Sequence, residues 1–201
     1  MTRIVVVDHG AGNLVSIAQG LTASGAVVEV SSDPTALSAA DGVVLPGVGA
    51  TATVMAGIEA AGLKDPLSRV RVPLLGICVG MQVLFEYSEE DDAVCLGLIP
   101  GVIRKLTEAP HLPHIGWNDV SGSPTLLEGT DGIFYFVHSY APVPDDADVI
   151  TGFTEHGDVF VSAVAQGTLH GVQFHPERSG SAGLRVLSNF ISLCREVRVA
   201  P

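Results

Sequence analysis

The sequence predicts an α/β fold with an open, mostly parallel sheet, helices on both faces and a β-rich C-terminal half. Up to about residue 92, short apolar runs rich in β-branched residues alternate with helical segments, as parallel βαβ units require. Beyond that point, strand-like runs closed by Gly, Pro and Asp follow one another without a long helical period. A helix is predicted near residues 180–197. The pattern requires only one domain, over residues 1–201.

Four apolar runs in the N-terminal half are predicted to be strands, and a helical segment follows each of them. Their apolar character is continuous, which is typical of parallel strands covered on both faces. Gly25 marks the end of one helix, and Asp33 with Pro34 marks the start of the next. The predicted strands are 3–8, 26–32, 41–47 and 72–78, and the predicted helices lie within 10–25, 32–40, 50–63 and 79–88.

The β-rich half is predicted to extend the sheet or to form hairpins beside it. Both arrangements fit runs of this length with turn residues between them. The chain is therefore not divided into two domains. The strand-like runs are 96–106, 114–120, 132–141, 148–153, 159–167 and 168–175.

Composition excludes several classes of partner. The net charge of −12, with only 10 Lys and Arg that are dispersed, argues against nucleic acid. The longest apolar stretches are broken by Pro and Gly, so no membrane span is expected, and no signal peptide is predicted. Three cysteines without disulfide or zinc spacing favour a reducing compartment, and the cytoplasm is the expected location. Cys194 has the spacing of a helix core residue, and Cys95 lies in a strand-like run.

Cys78 lies between Gly76 and Gly80, where a strand is predicted to turn into a helix. Open α/β sheets bind ligands at such strand ends. A nucleophile elbow needs small residues two positions to either side because its backbone is crowded. The N-terminus of the next helix would favour a thiolate, and the Val79 amide could donate to an oxyanion. The alternative is an inert core cysteine.

The segment GVQFHPERSG offers a base and a residue to orient it. Residues two apart in a strand face the same side, so His175 and Glu177 would project together around Pro176. Because Pro cannot donate to a ladder, this segment is predicted at a strand end or sheet edge. Glu177 could hold one imidazole nitrogen and leave the other for Cys78. The alternative is an ion-paired histidine in a loop.

Seven segments have the order and spacing of a known family. They are DHGAGNL, LPGVGA, GICVGMQVLFEYSEE, LGLIPG, GWN, FVHSYA and GVQFHPERSG. Together they resemble the class I, triad-type glutamine amidotransferases over essentially the whole chain, and most closely the glutaminase subunits of imidazole glycerol phosphate synthases. Branches serving purine, anthranilate or carbamoyl phosphate synthesis share the triad, but several have His where Met81 stands here. The resemblance implies a single glutamine amidotransferase domain over 1–201.

The resemblance implies that glutamine is hydrolysed to glutamate and ammonia. Cys78 would attack the side-chain amide carbon and form a thioester. His175 would take the thiol proton and pass it to the leaving ammonia, and Glu177 would orient His175. No cofactor or metal is implied.

The same resemblance assigns an oxyanion hole to two backbone amides. One is that of Val79, and the other belongs to the LPGVGA loop, at Val48 or Gly49. Glycines in that loop would let its backbone approach a substrate closely. A plain turn is the alternative for Gly47 and Gly49.

Substrate recognition is assigned by resemblance to two side chains and one stretch of main chain. Glu90 suits the ammonium of the substrate, and Gln82 would face the same side as Cys78 on a helix. His138, Ser139 and Tyr140 would contribute backbone groups. Alternatives are a solvated helix residue for Gln82 and a catalytic base for His138.

The family also implies a partner. It releases ammonia into an internal passage of a barrel-shaped cyclase subunit, with which it forms a heterodimer. Trp117 and Asn118 resemble the segment that faces this partner, and Asn13 is expected near the same surface. The alternative for Trp117 is a core anchor. The chain departs from common family residues at His9, Thr51 and Ala141. These positions line the site region or the interface in the family, so the departures put coupling to the partner in more doubt than the chemistry.

Other functions remain open from the residues alone. The GAGNLV segment and Glu29 partly fit a dinucleotide-binding fingerprint, but Val15 stands where Gly or Ala is expected. A non-catalytic binding module of the same fold would have no reactive thiol. A metal site at His111 and His114 would need a third ligand that the sequence does not supply.

Overall fold

The computed structural model describes residues 1–199. The strands are β1 (Arg3–Val7), β2 (Val27–Ser31), β3 (Gly42–Gly47), β4 (Leu74–Cys78), β5 (Tyr87–Ser88), β6 (Ala93–Val94), β7 (Gly101–Lys105), β8 (His114–Asp119), β9 (Ser121–Gly122), β10 (Ile133–His138), β11 (Tyr140–Pro144), β12 (Ile150–His156), β13 (Asp158–Gln166) and β14 (Leu169–Val172). The α-helices are α1 (Leu14–Ala23), α2 (Thr51–Ala60), α3 (Lys64–Ser68), α4 (Val79–Gln82), α5 (Pro124–Leu127) and α6 (Gly180–Val199). Short 3-10 helices span Pro34–Ala39, Glu90–Asp92, Ala147–Val149 and Pro176–Arg178.

The largest sheet has eight strands in the order β2-β1-β3-β4-β14-β13-β12-β9. The first five run parallel, and the last three continue the sheet antiparallel. Strand order reverses at β1, and the two helices have different neighbours, since α1 contacts α6 whereas α2 contacts α4 and β6. The predicted fold class is therefore confirmed. The β-rich half extends this sheet and also forms two smaller sheets, β11-β7-β5-β6 and β10-β8.

Helix α6 packs on the sheet through small residues. A β-carbon on Gly42 of β3 would lie 2.3 Å from the Cys194 sulfur, so α6 approaches the strand closely. Gly20 of α1 similarly leaves room for Leu187. Cys194 is fully buried, and burial raises the pKa of its thiol to about 12, as expected for a core residue. Within residues 1–199, no helix is long and apolar enough to cross a bilayer.

The predicted helix over 79–88 was wrong. Helix α4 ends at Gln82, and the carbonyls of residues 83–85 accept hydrogen bonds from the backbone of residues 96–99. Val83, Leu84 and Phe85 are all fully buried, whereas a surface helix would bury one stripe only. A four-residue helix has only a small dipole. The structure therefore does not support the expectation that this helix stabilises a Cys78 thiolate.

Two further strand predictions were too long. Within the run 96–106, only β7 forms a strand, because residues 96–99 donate to the segment after α4 instead. The run 132–141 breaks at Ser139 into β10 and β11, which belong to different sheets. Cys95 lies directly after β6 rather than inside a long strand, and burial raises the pKa of its thiol to about 11.

Candidate active site

Cys78 lies at a sharp turn between β4 and α4. Its φ of 55° and ψ of −115° form a combination that residues with a β-carbon rarely adopt. The turn is possible because of its glycines. A β-carbon on Gly80 would lie 1.9 Å from the Leu45 carbonyl oxygen, and one on Gly76 would lie 2.7 Å from the Cα atom of Met81. The crowding predicted at both glycines is therefore present.

His175 and Glu177 form a buried pair. Their Nδ1 and Oε1 atoms are 3.0 Å apart, and their side chains are 6% and 0% exposed. Strand geometry, which we expected to bring them together, does not do so, because β14 already ends at Val172. His175 instead precedes the 3-10 helix Pro176–Arg178, and this tight turn directs both side chains to the same side.

The pKa of His175 is raised to about 10 by its neighbours. Burial alone lowers the pKa of an imidazole, because the charged ring loses water. The neighbouring Cys78 sulfur and the Glu177 carboxylate, 3.0 Å from Nδ1, outweigh that loss and raise the pKa. The ring is thus stabilised as an imidazolium between a sulfur and a carboxylate. The structure brings together three side chains from distant parts of the sequence.

The backbone of His175 is tied to strand β10. Its N–H donates to the Tyr135 carbonyl oxygen at 2.9 Å. The Ser179 hydroxyl donates to the His175 carbonyl oxygen at 2.7 Å and accepts from the Tyr135 N–H at 2.9 Å. These bonds link the turn to β10, whose Phe134 and Phe136 side chains are fully buried, and they fix the position of the His175 backbone.

Two residues that the sequence did not indicate contact the sulfur. Gln173 Nε2 donates to Cys78 Sγ at 3.6 Å, and the thiol donates to the Val137 carbonyl oxygen at 3.7 Å. Gln173 is fully buried. It lies two residues before His175 inside the same segment, and this spacing was the available signal.

A cavity of about 270 Å³ opens in front of Cys78. Its lining contains every predicted oxyanion and substrate residue, together with two that were not predicted, Val137 and Arg178. Glu177 lies behind His175, outside the lining. The lining residues are Val48, Gly49, Cys78, Val79, Gln82, Glu90, Val137, His138, Ser139, Tyr140, His175 and Arg178.

A larger cavity, of about 510 Å³, lies between the 3-10 helix Pro34–Ala39 and α3. Its lining contains neither Cys nor His. Its charged groups include Asp65 and Arg69, whose side chains are 79% and 77% exposed. The smaller cavity at Cys78 is therefore the candidate active site, because the cysteine at the strained turn and the histidine with the raised pKa both line it.

Gln82 is buried and immobilised rather than solvated, so the solvated alternative was wrong. Its side chain is only 2% exposed. Its Nε2 donates at 3.0 Å to both the Tyr140 carbonyl oxygen and Gln173 Oε1. Through these bonds Gln82 joins the elbow helix to β11 and to the segment that carries His175.

The side chain of His138 is already occupied. Its Nδ1–H donates to the Tyr140 carbonyl oxygen at 2.9 Å, so its Nε2 accepts from His114 Nδ1 at 3.1 Å. Burial lowers the pKa of His138 to about 3, with small contributions from neighbouring histidines. A neutral ring with both nitrogens engaged is a poor general base, which argues against that alternative.

The loop after β3 packs against the elbow. Gly47 pairs in register with Cys78, and a β-carbon on it would lie 2.5 Å from the Gly80 nitrogen. A plain turn is therefore the wrong explanation for Gly47. Gly49 has a φ of +82° and nothing lies within 4 Å of where its β-carbon would be, so a plain turn still explains this glycine. Val48 between them is 39% exposed.

The three departures from common family residues are all buried. His9 donates from Nε2 to the Pro46 carbonyl oxygen at 2.7 Å, at the start of the loop before Val48. Thr51 is fully buried and binds Glu90. Ala141 is buried in β11, where it pairs in register with Arg104 of β7.

Trp117 lies on the surface, and the core-anchor alternative was wrong. It is 58% exposed on β8, with its ring centroid 6.0 Å from that of Tyr135 on β10. The Arg178 guanidinium lies 4.3 Å from the centre of the Tyr135 ring. Ile115 and Ile133 are also exposed, at 54% and 42%, on the same two-stranded sheet. We refer to these five side chains as the β8–β10 surface.

The two asparagines predicted at the partner surface both make hydrogen bonds within the chain. Asn13 Nδ2 lies 3.5 Å from Glu177 Oε1, so it also contacts the His175–Glu177 pair. Asn118 Nδ2 donates to the Glu155 carbonyl oxygen at 2.8 Å. The second carboxylate oxygen of Glu177 is buried without a hydrogen-bond partner in the described chain.

The rival sites find little support. His114 stacks on His156 with ring centroids 4.0 Å apart, and burial lowers the pKa of His114 to about 4. Within residues 1–199, no three His, Cys, Asp or Glu side chains are placed to hold a metal ion, so His111 and His114 lack a third ligand. Glu29, the acidic residue of the dinucleotide alternative, is bound to Arg3 at 2.6 Å.

Known proteins resemble the chain over almost its whole length. The glutamine amidotransferase class-I family profile matches residues 5–193. Imidazole glycerol phosphate synthase subunit HisH of Moorella thermoacetica is 46% identical over 203 residues, covering 97% of each chain. The subunit of the same name from Xylella fastidiosa is 45% identical over 199 residues, covering 96% of this chain and 98% of that one.

Solved structures agree on the fold. A glutamine amidotransferase has a TM-score of 0.72 at 20% identity, covering 95% of this chain and 98% of that one. PurLQS from Thermotoga maritima has a TM-score of 0.69 at 18% identity, with the same coverage. The family recognised from the seven segments is confirmed. The chain belongs to the class I glutamine amidotransferases and, within them, to the family of imidazole glycerol phosphate synthase subunit HisH.

Proposed function

We propose that the chain is the glutaminase subunit of an imidazole glycerol phosphate synthase and hydrolyses glutamine to glutamate and ammonia for histidine biosynthesis. The observation that carries this proposal is the strained Cys78 beside the His175–Glu177 pair, at the wall of one cavity. Identity of 45% to 46% with HisH relatives over nearly the full length supports the choice of pathway.

In the first step, Cys78 acts as the nucleophile. Its sulfur attacks the side-chain amide carbon of glutamine, and the thiol proton passes to His175. When the carbon–nitrogen bond breaks, the imidazolium gives this proton to the leaving nitrogen, so ammonia departs and a thioester remains. The raised pKa of His175 supports this role, because an imidazolium is already favoured next to the sulfur.

In the second step, water hydrolyses the thioester. Neutral His175 takes a proton from the attacking water, glutamate leaves, and the sulfur recovers its proton from the imidazolium. Glu177 accepts the Nδ1–H of His175, which leaves Nε2 to face the reacting atoms. Asn13, near the same carboxylate oxygen, would help to hold Glu177 in place.

The oxyanion formed in both steps would be bound by two backbone amides, that of Val79 and one at Val48 or Gly49. Val79 follows the nucleophile directly. Gly47 packs against the backbone of residues 79 and 80, and this close approach brings the loop beside the elbow. All three proposed donor residues line the cavity.

Glutamine would be oriented by groups on the remaining walls. Glu90 offers a carboxylate to the α-ammonium, which is its natural counter-charge. Gln82 and the main chain of His138, Ser139 and Tyr140 offer hydrogen-bonding groups to the rest of the substrate. These residues all line the cavity, opposite or beside Cys78.

The ammonia acceptor is proposed to be the barrel-shaped cyclase subunit, bound as a heterodimer. The contact would include Asn13, Trp117 and Asn118 and would be centred on the β8–β10 surface. Exposed Trp and Ile side chains beside an Arg are typical of a protein interface. Arg178 belongs to this surface and also lines the cavity, so ammonia would leave the site directly beneath the partner.

We further propose that the chain acts in the cytoplasm as one amidotransferase domain over residues 1–201, without a cofactor. The three cysteines are free and buried, as a reducing compartment would leave them. The strong negative charge supports the proposal that neither nucleic acid nor a membrane surface is a partner.

Cys78→Ala tests the proposal. In complex with the cyclase subunit, this variant is expected to lose glutamine-dependent synthesis and to keep ammonia-dependent synthesis, because the sulfur is needed only to release ammonia. Cys95→Ala is the matched control, since it removes a buried thiol outside the cavity. Glutamate release and cyclase product are measured with each nitrogen source. Glutamine hydrolysis retained by Cys78→Ala would refute the proposed nucleophile.

A further inference from the structure

We propose that Thr51 is a positioning residue for glutamine, which fixes the Glu90 carboxylate so that one oxygen faces the substrate α-ammonium. The inference rests on the proposed function, because it takes Glu90 as the group that binds the ammonium. Thr51 is fully buried and does not line the cavity, whereas Glu90 does. Thr51 would therefore act on the substrate through Glu90 alone.

Both hydrogen-bond donors of Thr51 donate to the same atom, Glu90 Oε2. Its N–H donates to Glu90 Oε2 at 2.9 Å, and its hydroxyl donates to that oxygen at 3.0 Å. A carboxylate can only accept, so the direction of both bonds is fixed, and bonds to a charged acceptor are strong. With Oε2 bound twice, the other oxygen is the one available to a ligand in the cavity.

Ser88 completes a closed ring of hydrogen bonds. The Glu90 N–H donates to Ser88 Oγ at 3.2 Å, and Ser88 Oγ lies 3.2 Å from Thr51 Oγ1. Since the Thr51 hydrogen is used on the carboxylate, the Ser88 hydroxyl must donate to Thr51. The ring begins at the Glu90 amide and ends at the Glu90 carboxylate. It therefore fixes the backbone and the side chain of that residue relative to each other.

The ring also caps a helix. Thr51 is the first residue of α2, so its N–H has no acceptor within the helix, and Ala50 at the capping position makes no side-chain hydrogen bond. Glu90, 39 residues away in sequence, supplies the missing acceptor. A carboxylate at a helix N-terminus is further stabilised by the helix dipole. The sheet-bound helix thus provides a rigid support for the charge.

The segment after Glu90 needs such support. Asp91 and Asp92 have φ values of 59° and 50°, in the left-handed region, which Asp adopts more often than most residues but less readily than glycine. The Tyr87 hydroxyl donates to the Asp92 carboxylate and closes the turn. Because the turn has no strong intrinsic preference for this conformation, loss of the Thr51 contacts is expected to let Glu90 move away from the cavity.

The first test compares Thr51→Val with Thr51→Ser in the complex with the cyclase subunit. Valine keeps the shape and the N–H but removes the hydroxyl, so the KM for glutamine is expected to rise about tenfold while kcat changes by less than about twofold. Serine keeps the hydroxyl and should restore the KM to near that of the wild type. Ser88→Ala opens the same ring at another residue and should raise the KM in the same direction.

The second test uses glutaramate, which is glutamine without its α-amino group. Since Thr51 acts through the ammonium site, Thr51→Val should leave kcat/KM for this substrate unchanged, and it should add no loss in a Glu90→Ala background. Equal losses on both substrates, or unaltered KM in both Thr51→Val and Ser88→Ala, would overturn the inference. A wild-type complex that hydrolyses no glutamine would instead refute the proposed function.

Discussion

Two histidines border the same cavity, and their environments shift their pKa values in opposite directions. His175 lies between Cys78 and Glu177, and its pKa is raised to about 10 although burial lowers it. His138 is buried as well, but its neighbours are a carbonyl oxygen and the neutral His114, and its pKa is lowered to about 3. The comparison shows that the partner of a buried imidazole, rather than burial itself, decides whether it carries a charge.

This difference divides the cavity into two walls. On the His175 wall, a charged ring next to a sulfur can move protons. On the His138 wall, a neutral ring with both nitrogens engaged can only hold the chain in shape, here by fixing the Tyr140 carbonyl. The following predictions test this division, from the largest expected effect to the smallest.

Replacing each histidine by Gln gives the sharpest contrast. His175→Gln removes the proposed proton carrier and is expected to lower kcat for glutamine about 10³-fold, within the range for general acid–base groups. His138→Gln keeps an amide that can hydrogen-bond and should cost less than about tenfold. Initial rates of glutamate release in the cyclase complex measure both. Similar losses in the two variants would show that the division of the cavity is wrong.

Glu177→Gln removes one cause of the raised His175 pKa without removing the ring. Activity is expected to fall about 10²-fold, because an amide can orient the imidazole in the wrong tautomer. The loss of one negative neighbour also lowers the pKa of His175, so the alkaline limb of the pH–rate profile should move to lower pH. Glu128→Gln, at an exposed carboxylate outside the cavity, is the control. An unmoved limb would contradict the assigned cause.

The two histidines should also give stability opposite dependences on pH. A raised pKa means that the His175 contribution is complete below pH 6.5 and is lost as pH rises towards about 10. A lowered pKa means that the His138 contribution is present above pH 6.5 and is lost as pH falls towards about 3.

For His138, the expected loss between pH 6.5 and pH 5 is about 2 kcal/mol. The melting temperature of His138→Gln should therefore fall less steeply on acidification than that of the wild type. Thermal unfolding at a series of pH values measures the slope, which is separate from any overall change in stability. Parallel slopes would contradict the prediction and point to His114 or another group as the source.

Local spacing predicted the parts of the site that depend on local backbone. The crowded turn at Cys78 was predicted from glycines two residues to either side, although the atom that crowds Gly80 most closely belongs to Leu45 of the neighbouring strand β3. The pairing of His175 with Glu177 was also predicted, but for the wrong reason, because a 3-10 turn replaces the expected strand. Alternation in a short apolar run cannot distinguish these two geometries.

Contacts between distant segments could not be predicted from the residues alone. The apolar run after Cys78 has helical composition, yet residues 83–85 pair with residues 96–99, and this tertiary pairing ends the helix. Nothing local to Thr51 indicates that it binds Glu90 across 39 residues. The exposure of Trp117 is another such property, because composition favours burial of a single Trp.

The glycines at the elbow also bear on how this protein can evolve. A β-carbon on Gly47 would meet the nitrogen of Gly80, one on Gly80 would meet the oxygen of Leu45, and one on Gly76 would meet the backbone of residues 80 and 81. Each of these atoms belongs to the main chain, so a second substitution cannot remove it. A larger residue at these glycines therefore cannot be accommodated by shortening a neighbouring side chain, and the turn is expected to persist while side chains around it diverge.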